Sequence, residues 1–142
     1  MVALLDVNVL IALCDPHHDF HQTAMAWSLD QASQGWASCP LTQNGCIRIV
    51  TQPSYRYPIA MLEAIETLQS ICASIHHEFW PDDVSLLDAL AFDHSRIHGH
   101  RQLTDLYLLG LAVKNKGCLV TLDGAIPLSA VKGAKKQHLR VL

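Results

Sequence analysis

The sequence predicts an α/β protein, a three-layer α/β/α sandwich built around a mainly parallel sheet. Three observations carry this expectation. Residues 2–5, Val-Ala-Leu-Leu, form an unbroken apolar run that ends abruptly in Asp6. Such a run, without polar alternation, reads as a strand buried on both faces. A second run of this kind, Cys118-Leu-Val-Thr-Leu122, ends in Asp123-Gly124. Between them, short strand-like segments alternate with stretches of helical periodicity, the pattern of strands joined by crossover helices.

The elements follow in chain order. From Asn8 the chain turns into a short helix reaching about residue 13, which Asp15-Pro16 breaks. Pro16 lacks a backbone donor and pushes Asp15 out of the helical region. Phe20, Ala24 and Trp27 stand at i, i+4, i+7 and give one apolar face to a helix running to about residue 33. Gly35 ends it, and Trp36-Ala-Ser38 is a second strand, set between Gly35 and Pro40. Pro40 opens the next helix, where its missing N–H is harmless, with Leu41, Gly45, Ile49 and Val50 inward to about residue 51. Residues 52–58 form a loop holding Pro53 and Pro58. Met61, Leu62, Ile65, Leu68 and Cys72 then mark an amphipathic helix, and residues 76–80 an edge strand closed by Pro81.

Ser85 with Asp88 three residues on resembles a capping box, which predicts a helix carrying Leu86, Leu87, Leu90 and Ala91. A loop over residues 94–101 leads to a helix over about residues 103–116, with Leu106, Leu109, Gly110 and Val113 inward. Lys114, Lys116 and Gly117 are its C-terminal signature. The strand 118–122 follows, and a last strand covers 139–142. With no internal repeat and no composition break, the 142 residues are expected to form a single domain.

Composition narrows the function classes. Half the residues are apolar and 16% are charged, which excludes a disordered chain. A net charge of −3 excludes a broadly basic nucleic-acid binder, so any such binding rests on a local basic patch. The five cysteines form no Cys-x-x-Cys pair and read as buried thiols of a reducing compartment. The N-terminus lacks the basic region and apolar core of a signal peptide, and no apolar run approaches the ~20 residues that span a bilayer. The expectation is a cytoplasmic protein.

In a parallel α/β sheet the carboxyl ends of strands and the starts of the following helices share one edge, where ligands bind. Asp6 and Asp123 end strands, and Asp105 lies in the first turn of the helix from Leu103. Asp105 by itself is an ordinary acid at a helix N-terminus, and Asp123 before glycine is an ordinary turn residue. Asp6 is harder to dismiss, because a carboxylate at the end of a buried strand needs a partner. Three carboxylates brought together repel one another unless a cation lies between them or one stays protonated. Oxygen-only ligands favour Mg²⁺ or Mn²⁺, so the three aspartates together point to a metal site.

Other features weigh less. His17 and His21 are spaced i, i+4, and His94, His98 and His100 cluster, yet neither set has a Cys or acid at ligand spacing, so solvated loop histidines outweigh a transition-metal site. Arg48, Arg56, Arg96 and Arg101 lie in or beside segments near the expected rim; a phosphate grip and solvated surface charge stand about even for them. Gly45 with Arg48 also suits helix packing and local pairing, and Lys132, Lys135 and Lys136 read as a solvated tail.

Four segments together carry a resemblance: Leu5-Asp6-Val7-Asn8-Val9-Leu10, Leu41-Thr-Gln-Asn-Gly-Cys-Ile-Arg48, Gln102-Leu-Thr-Asp105-Leu-Tyr-Leu-Leu109 and Leu119-Val-Thr-Leu-Asp123. In this order and spacing they resemble successive motifs of the PIN-domain family, and more narrowly those of the VapC toxin ribonucleases of bacterial toxin–antitoxin pairs. The span from Asp15 to Trp27 is similar to that group as well. The resemblance implies a five-stranded parallel sheet, Mg²⁺-dependent endoribonuclease activity on RNA, a cognate antitoxin partner and a homodimer. It implies a catalytic set of Asp6, Gln43, Asp105 and Asp123, with Asp6, Asp105 and Asp123 on the metal and Asn8 and Thr104 orienting the carboxylates. Gln43 departs from the family, which typically carries glutamate there; an amide can still bind a metal or its water but brings no charge and cannot act as a base. The alternative is therefore a weakened or inactive PIN-like module that binds RNA or an antitoxin without cutting. A Mg²⁺-dependent phosphatase or phosphotransfer domain is a further rival, against which Asn8 stands where a second acid would be wanted.

Overall fold

The computed structural model describes residues 1–142, apart from the side chain of residue 32. Five short strands hydrogen-bond into one sheet: β1 Ala3–Leu5, β2 Trp36–Ser38, β3 His77–Phe79, β4 Cys118–Thr121 and β5 Leu139–Val141. Their order is β3-β2-β1-β4-β5, and every neighbouring pair is parallel. The connections carry helices α1 Val7–Cys14, α2 His21–Gln31, α3 Pro40–Val50, α4 Met61–Cys72 and α5 Leu103–Lys114.

Alternation along β1 divides the core. Leu4, paired with Ala37 and Leu119, faces the layer of α5, while Ala3 and Leu5 face α1, α2, α3 and α4. The three-layer sandwich and the parallel sheet expected from the sequence are thus borne out. Helix α5 is buried nearly all round, from Leu106 through Ala112, because the sheet covers one side and the loops after β3 and β4 cover the other. Gly110 permits this: a Cβ there would stand 2.5 Å from Cζ of Phe92, whose ring is fully buried. Gly45 likewise lets α3 lie close on α1, where a Cβ would meet Val7 Cγ2 at 2.8 Å.

Several expected elements are corrected. No helix forms over residues 85–91; the segment is a series of turns with Leu87 and Leu90 exposed. The Ser85 hydroxyl accepts from Leu87 N–H and the Asp88 carboxylate from Leu90 N–H, so each side chain bonds two residues ahead, in turn geometry rather than in a capping box. Phe92 then bridges to Val131 and fixes the segment against the loop after β4. In α4 the buried residues are Ala64 and Leu68, with Met61 and Leu62 exposed, and in α3 Thr42 and Cys46 turn inward rather than Leu41 and Ile49. Phe20 precedes α2 and is exposed. The loop over residues 52–58 is tied to the far end of α1, where the Tyr55 hydroxyl donates to buried Asp15. No helix of the structure is long and apolar enough to cross a membrane.

Candidate active site

At the carboxyl edge of the sheet, Asp6 leaves β1 and serves as the N-cap of α1. Its carboxylate accepts from Val7 N–H at 2.7 Å, which satisfies an orphan donor of the first helical turn. The parallel register that pairs Leu5 with Val120 brings Thr121 beside Asp6, and the Thr121 hydroxyl donates to the Asp6 carboxylate at 2.6 Å. Thr121 is itself fully buried and accepts from the Asn8 amide at 3.1 Å and from Asp123 N–H at 3.0 Å. Asn8 completes the knot by accepting from Leu122 N–H at 3.2 Å. One hydroxyl thus ties the ends of the two central strands together and leaves Asp6 a single orientation.

Asp6, Asn8, Thr104, Asp105 and Asp123 all line one cavity of about 590 Å³. Burial pushes the Asp6 carboxyl up from the ordinary carboxylate range, against the pull of its bonds to Thr121 and Val7, and the charge of Asp123 adds to the rise. Burial, then the charges of Asp6 and Asp123, push Asp105 up to about 6. No ion pair among the described residues relieves these three acids.

The sign of the consequence is fixed by linkage. Because Asp105 holds its proton more tightly folded than unfolded, it stabilises the metal-free fold below about pH 4, and that contribution is lost as the pH rises to about 6. Asp105→Asn is expected to stabilise the metal-free protein at pH 7.5 by about 1 kcal/mol, after discounting for partial exposure, and by almost nothing at pH 4. Urea denaturation in EDTA at the two pH values checks this; an equal effect at both would contradict it.

The remaining site residue lies elsewhere. Helix α3 turns the stripe Leu41, Asn44, Gly45, Arg48 and Ile49 to the cavity, which is the i, i+3, i+4, i+7, i+8 pattern of one helix face. Gln43 sits well over a quarter-turn away from that stripe, at ~100° per residue. Its amide donates to the Ser38 hydroxyl at 2.9 Å, and Ser38 in turn shares a 2.8 Å hydrogen bond with His77 Nε2. The structure therefore brings the three aspartates, Asn8 and Thr104 together, and Gln43 does not join them.

The acids suit a hard divalent cation: oxygen donors only, mutually repelling, with no cationic side chain paired to them. Among the described residues, no three His, Cys, Asp or Glu side chains form a group that holds an ion as they stand. Of the candidate histidines, two bond to backbone carbonyls, His21 Nδ1 with Ala12 and His94 Nε2 with Leu86, each at 2.7 Å. Thr121, Asn44 and Arg48 are the residues of this site that sequence reasoning missed or left undecided. Thr121 left no signal of its own, since its role follows from strand register; for Asn44 and Arg48 the signal was the helical stripe they share.

No family model matches the chain. Among curated proteins of Mycobacterium tuberculosis, the chain is 51% identical to ribonuclease VapC44 over 142 residues, all of both chains. It is 42% identical to ribonuclease VapC39, over 94% of this chain and 96% of the relative. It is 40% identical to ribonuclease VapC38, over 88% and 87%. A crystal structure of VapBC2 from Rickettsia felis, bound to a DNA fragment from their promoter, superposes with a TM-score of 0.57 at 15% identity, over 87% of this chain and 89% of the other.

Proposed function

Since the chain belongs to the VapC ribonuclease family, we propose that it is the toxin of a toxin–antitoxin pair, an endoribonuclease whose Mg²⁺ is held by Asp6, Asp105 and Asp123. The observation that carries this reading is the single cavity shared by these three mutually repelling carboxylates. Bound Mg²⁺, or Mn²⁺ in its place, supplies Lewis acidity and charge neutralisation at a phosphodiester. The protein supplies the rest. Val7 N–H and the Thr121 hydroxyl hold the Asp6 carboxylate at both oxygens, so that no reorientation is needed when the cavity fills. Asn8 steadies Thr121 and is a positioning residue. Asp105, less buried than Asp6, is the carboxyl that takes up or gives a proton near neutrality in the metal-free protein. Thr104 stands beside it on the cavity wall.

The test is cleavage of RNA by purified protein freed of any partner. Cutting with Mg²⁺ that stops on adding EDTA supports the reading; cutting that persists at full rate in EDTA overturns it.

A second reading rests on Gln43. With its amide turned onto Ser38, the cavity has three carboxylates and no fourth acid. A chain that binds RNA but cuts it only as the Gln43→Glu variant would be a weakened descendant. Comparable cleavage by both forms at low Mg²⁺ would remove this reading.

The expected partner is a small antitoxin. A separate apolar groove of about 640 Å³ runs between α2 and α4, lined by Leu13, Met25, Trp27, Leu29, Trp36 and Ile71 among others. Exposed Leu29 and half-buried Ile71 at its margins suit an amphipathic segment. A basic side chain of the partner that occupied the acidic cavity in place of the metal would inhibit the enzyme. A complex with the partner seated only on the α5 face would overturn this inhibition model.

A further inference from the structure

The cavity has two chemically different ends. At the rim stand the carboxylates of Asp6, Asp105 and Asp123; down the stripe of α3 that faces α1 stands Arg48, one turn beyond Asn44. Arg48 is exposed and forms no ion pair among the described residues, although three carboxylates share its cavity. The chain's other candidate arginines are otherwise placed. Arg56 pairs with Asp19 at 3.8 Å, Arg96 pairs with Asp93 at 3.3 Å, and Arg101 does not line the cavity. A place in the last turn of α3 favours a cation through the helix dipole, but it does not require one that faces an acidic cavity.

Gly45 explains how Arg48 comes to face this way. A side chain at 45 would strike Val7, so its absence lets α3 lie directly against the first turn of α1, whose N-cap is Asp6. The close approach places the lower part of the stripe, including Arg48, along the same groove as the acids. Five residues separate Arg48 from the first turn of α3, about 7 Å along the helix axis. Arg48 is thereby set back along the groove from the carboxylates, with which it forms no ion pair, in a place to serve a neighbouring group of one bound chain.

We infer that Arg48, supported by Asn44, is the phosphate-holding end of the cavity. It takes the backbone phosphate next to the one lying over the three aspartates, and so fixes the register of a single RNA strand along the groove between α1 and α3. A planar guanidinium presents paired N–H donors to phosphate oxygens, and the Asn44 amide adds a neutral donor one turn above. The contact carries no base preference, so it positions the strand rather than reads it. This inference rests on the reading of the chain as a ribonuclease.

The test uses the full chain, a 5′-fluorescein-labelled single-stranded RNA oligonucleotide, and Ca²⁺ in place of Mg²⁺ so that strand binding is read without turnover. Fluorescence anisotropy is expected to show about tenfold weaker RNA binding by Arg48→Ala, with the salt dependence of affinity reduced by roughly one phosphate contact, ~0.7 in the log–log slope. Arg48→Lys is expected to fall between, because it keeps the charge and loses the paired donors. Mn²⁺ affinity without RNA, measured by titration calorimetry, is expected to match wild type. Unchanged RNA affinity in a folded Arg48→Ala protein would overturn the inference and leave the ribonuclease reading standing. A loss of Mn²⁺ affinity equal to the loss of RNA affinity would also overturn it, by placing Arg48 in the support of the carboxylates. Wild-type protein that neither binds nor cuts RNA would overturn the ribonuclease reading, and this inference with it.

Discussion

Replacing Asp6 by asparagine is expected to lower Mg²⁺-dependent RNA cleavage by about 10³-fold or more, a loss of about 4 kcal/mol of transition-state stabilisation. Asp6 is the most buried of the three acids and is held by two hydrogen bonds, so its charge is the one most firmly aimed into the cavity. Asparagine keeps the helix cap, since its side-chain oxygen still accepts from Val7 N–H, but the bond to Thr121 is lost, because that hydroxyl already accepts from Asn8 and Asp123 N–H and has no lone pair left for an amide donor. Removing a buried carboxylate that burial holds above its ordinary pKa offsets that lost bond in the metal-free fold, so thermal unfolding at pH 7.5 in EDTA should stay close to that of wild type. Single-turnover cleavage with excess enzyme, alongside circular dichroism, separates the two effects. Cleavage within tenfold of wild type by a folded Asp6→Asn protein would remove Asp6 from the reaction.

Thr121→Val should also damage the site, less severely, without touching a charged group. The hydroxyl makes three hydrogen bonds, one donated to Asp6 and two accepted, from Asn8 and from Asp123 N–H. Valine fills the same volume and removes all three bonds, leaving the buried Asp6 carboxylate with Val7 N–H alone, while half-buried Asn8 and exposed Asp123 lose their shared anchor. A stability loss of about 2 kcal/mol follows from the unpaired groups. Cleavage should fall roughly 10- to 100-fold, as is usual when the group orienting a metal-binding side chain is removed. Thr121→Ser keeps the hydroxyl and should restore most activity, though not all the stability. A Val variant that cuts as fast as wild type, or a Ser variant as damaged as Val, would show that the hydroxyl has no positioning role.

The distinction between Asp6 and Thr121 is also the distinction between what was legible and what was not. Asp6 announces itself because a charge at the end of a continuous apolar run has no local partner. The alternation of such runs with helical periodicity leads directly to a parallel sheet with α-helices on both faces. Thr121 gives no such signal: a threonine within a strand is ordinary, and its role exists only because parallel register sets it opposite a residue 115 positions away. The false helix over residues 85–91 failed for a related reason. Ser85 and Asp88 suit a helix cap and a turn equally, and the bridge from Phe92 to Val131, with Gly110 leaving room for the Phe92 ring, settled the choice.

Sequence by itself determined the five strands and the α-helices between them, the false helix over residues 85–91 apart, the burial of the central strands and the edge at which Asp6, Asp105 and Asp123 must emerge, because local hydrophobic periodicity and the geometry of parallel crossovers specify all three. The tertiary structure alone decided the rotational phase of α3, which turns Asn44 and Arg48 to the cavity and Gln43 to Ser38. That phase is set by which residue can lie against α1, and only the glycine at 45 leaves room for Val7; periodicity gives a helix its faces, but contact with another helix chooses where they point.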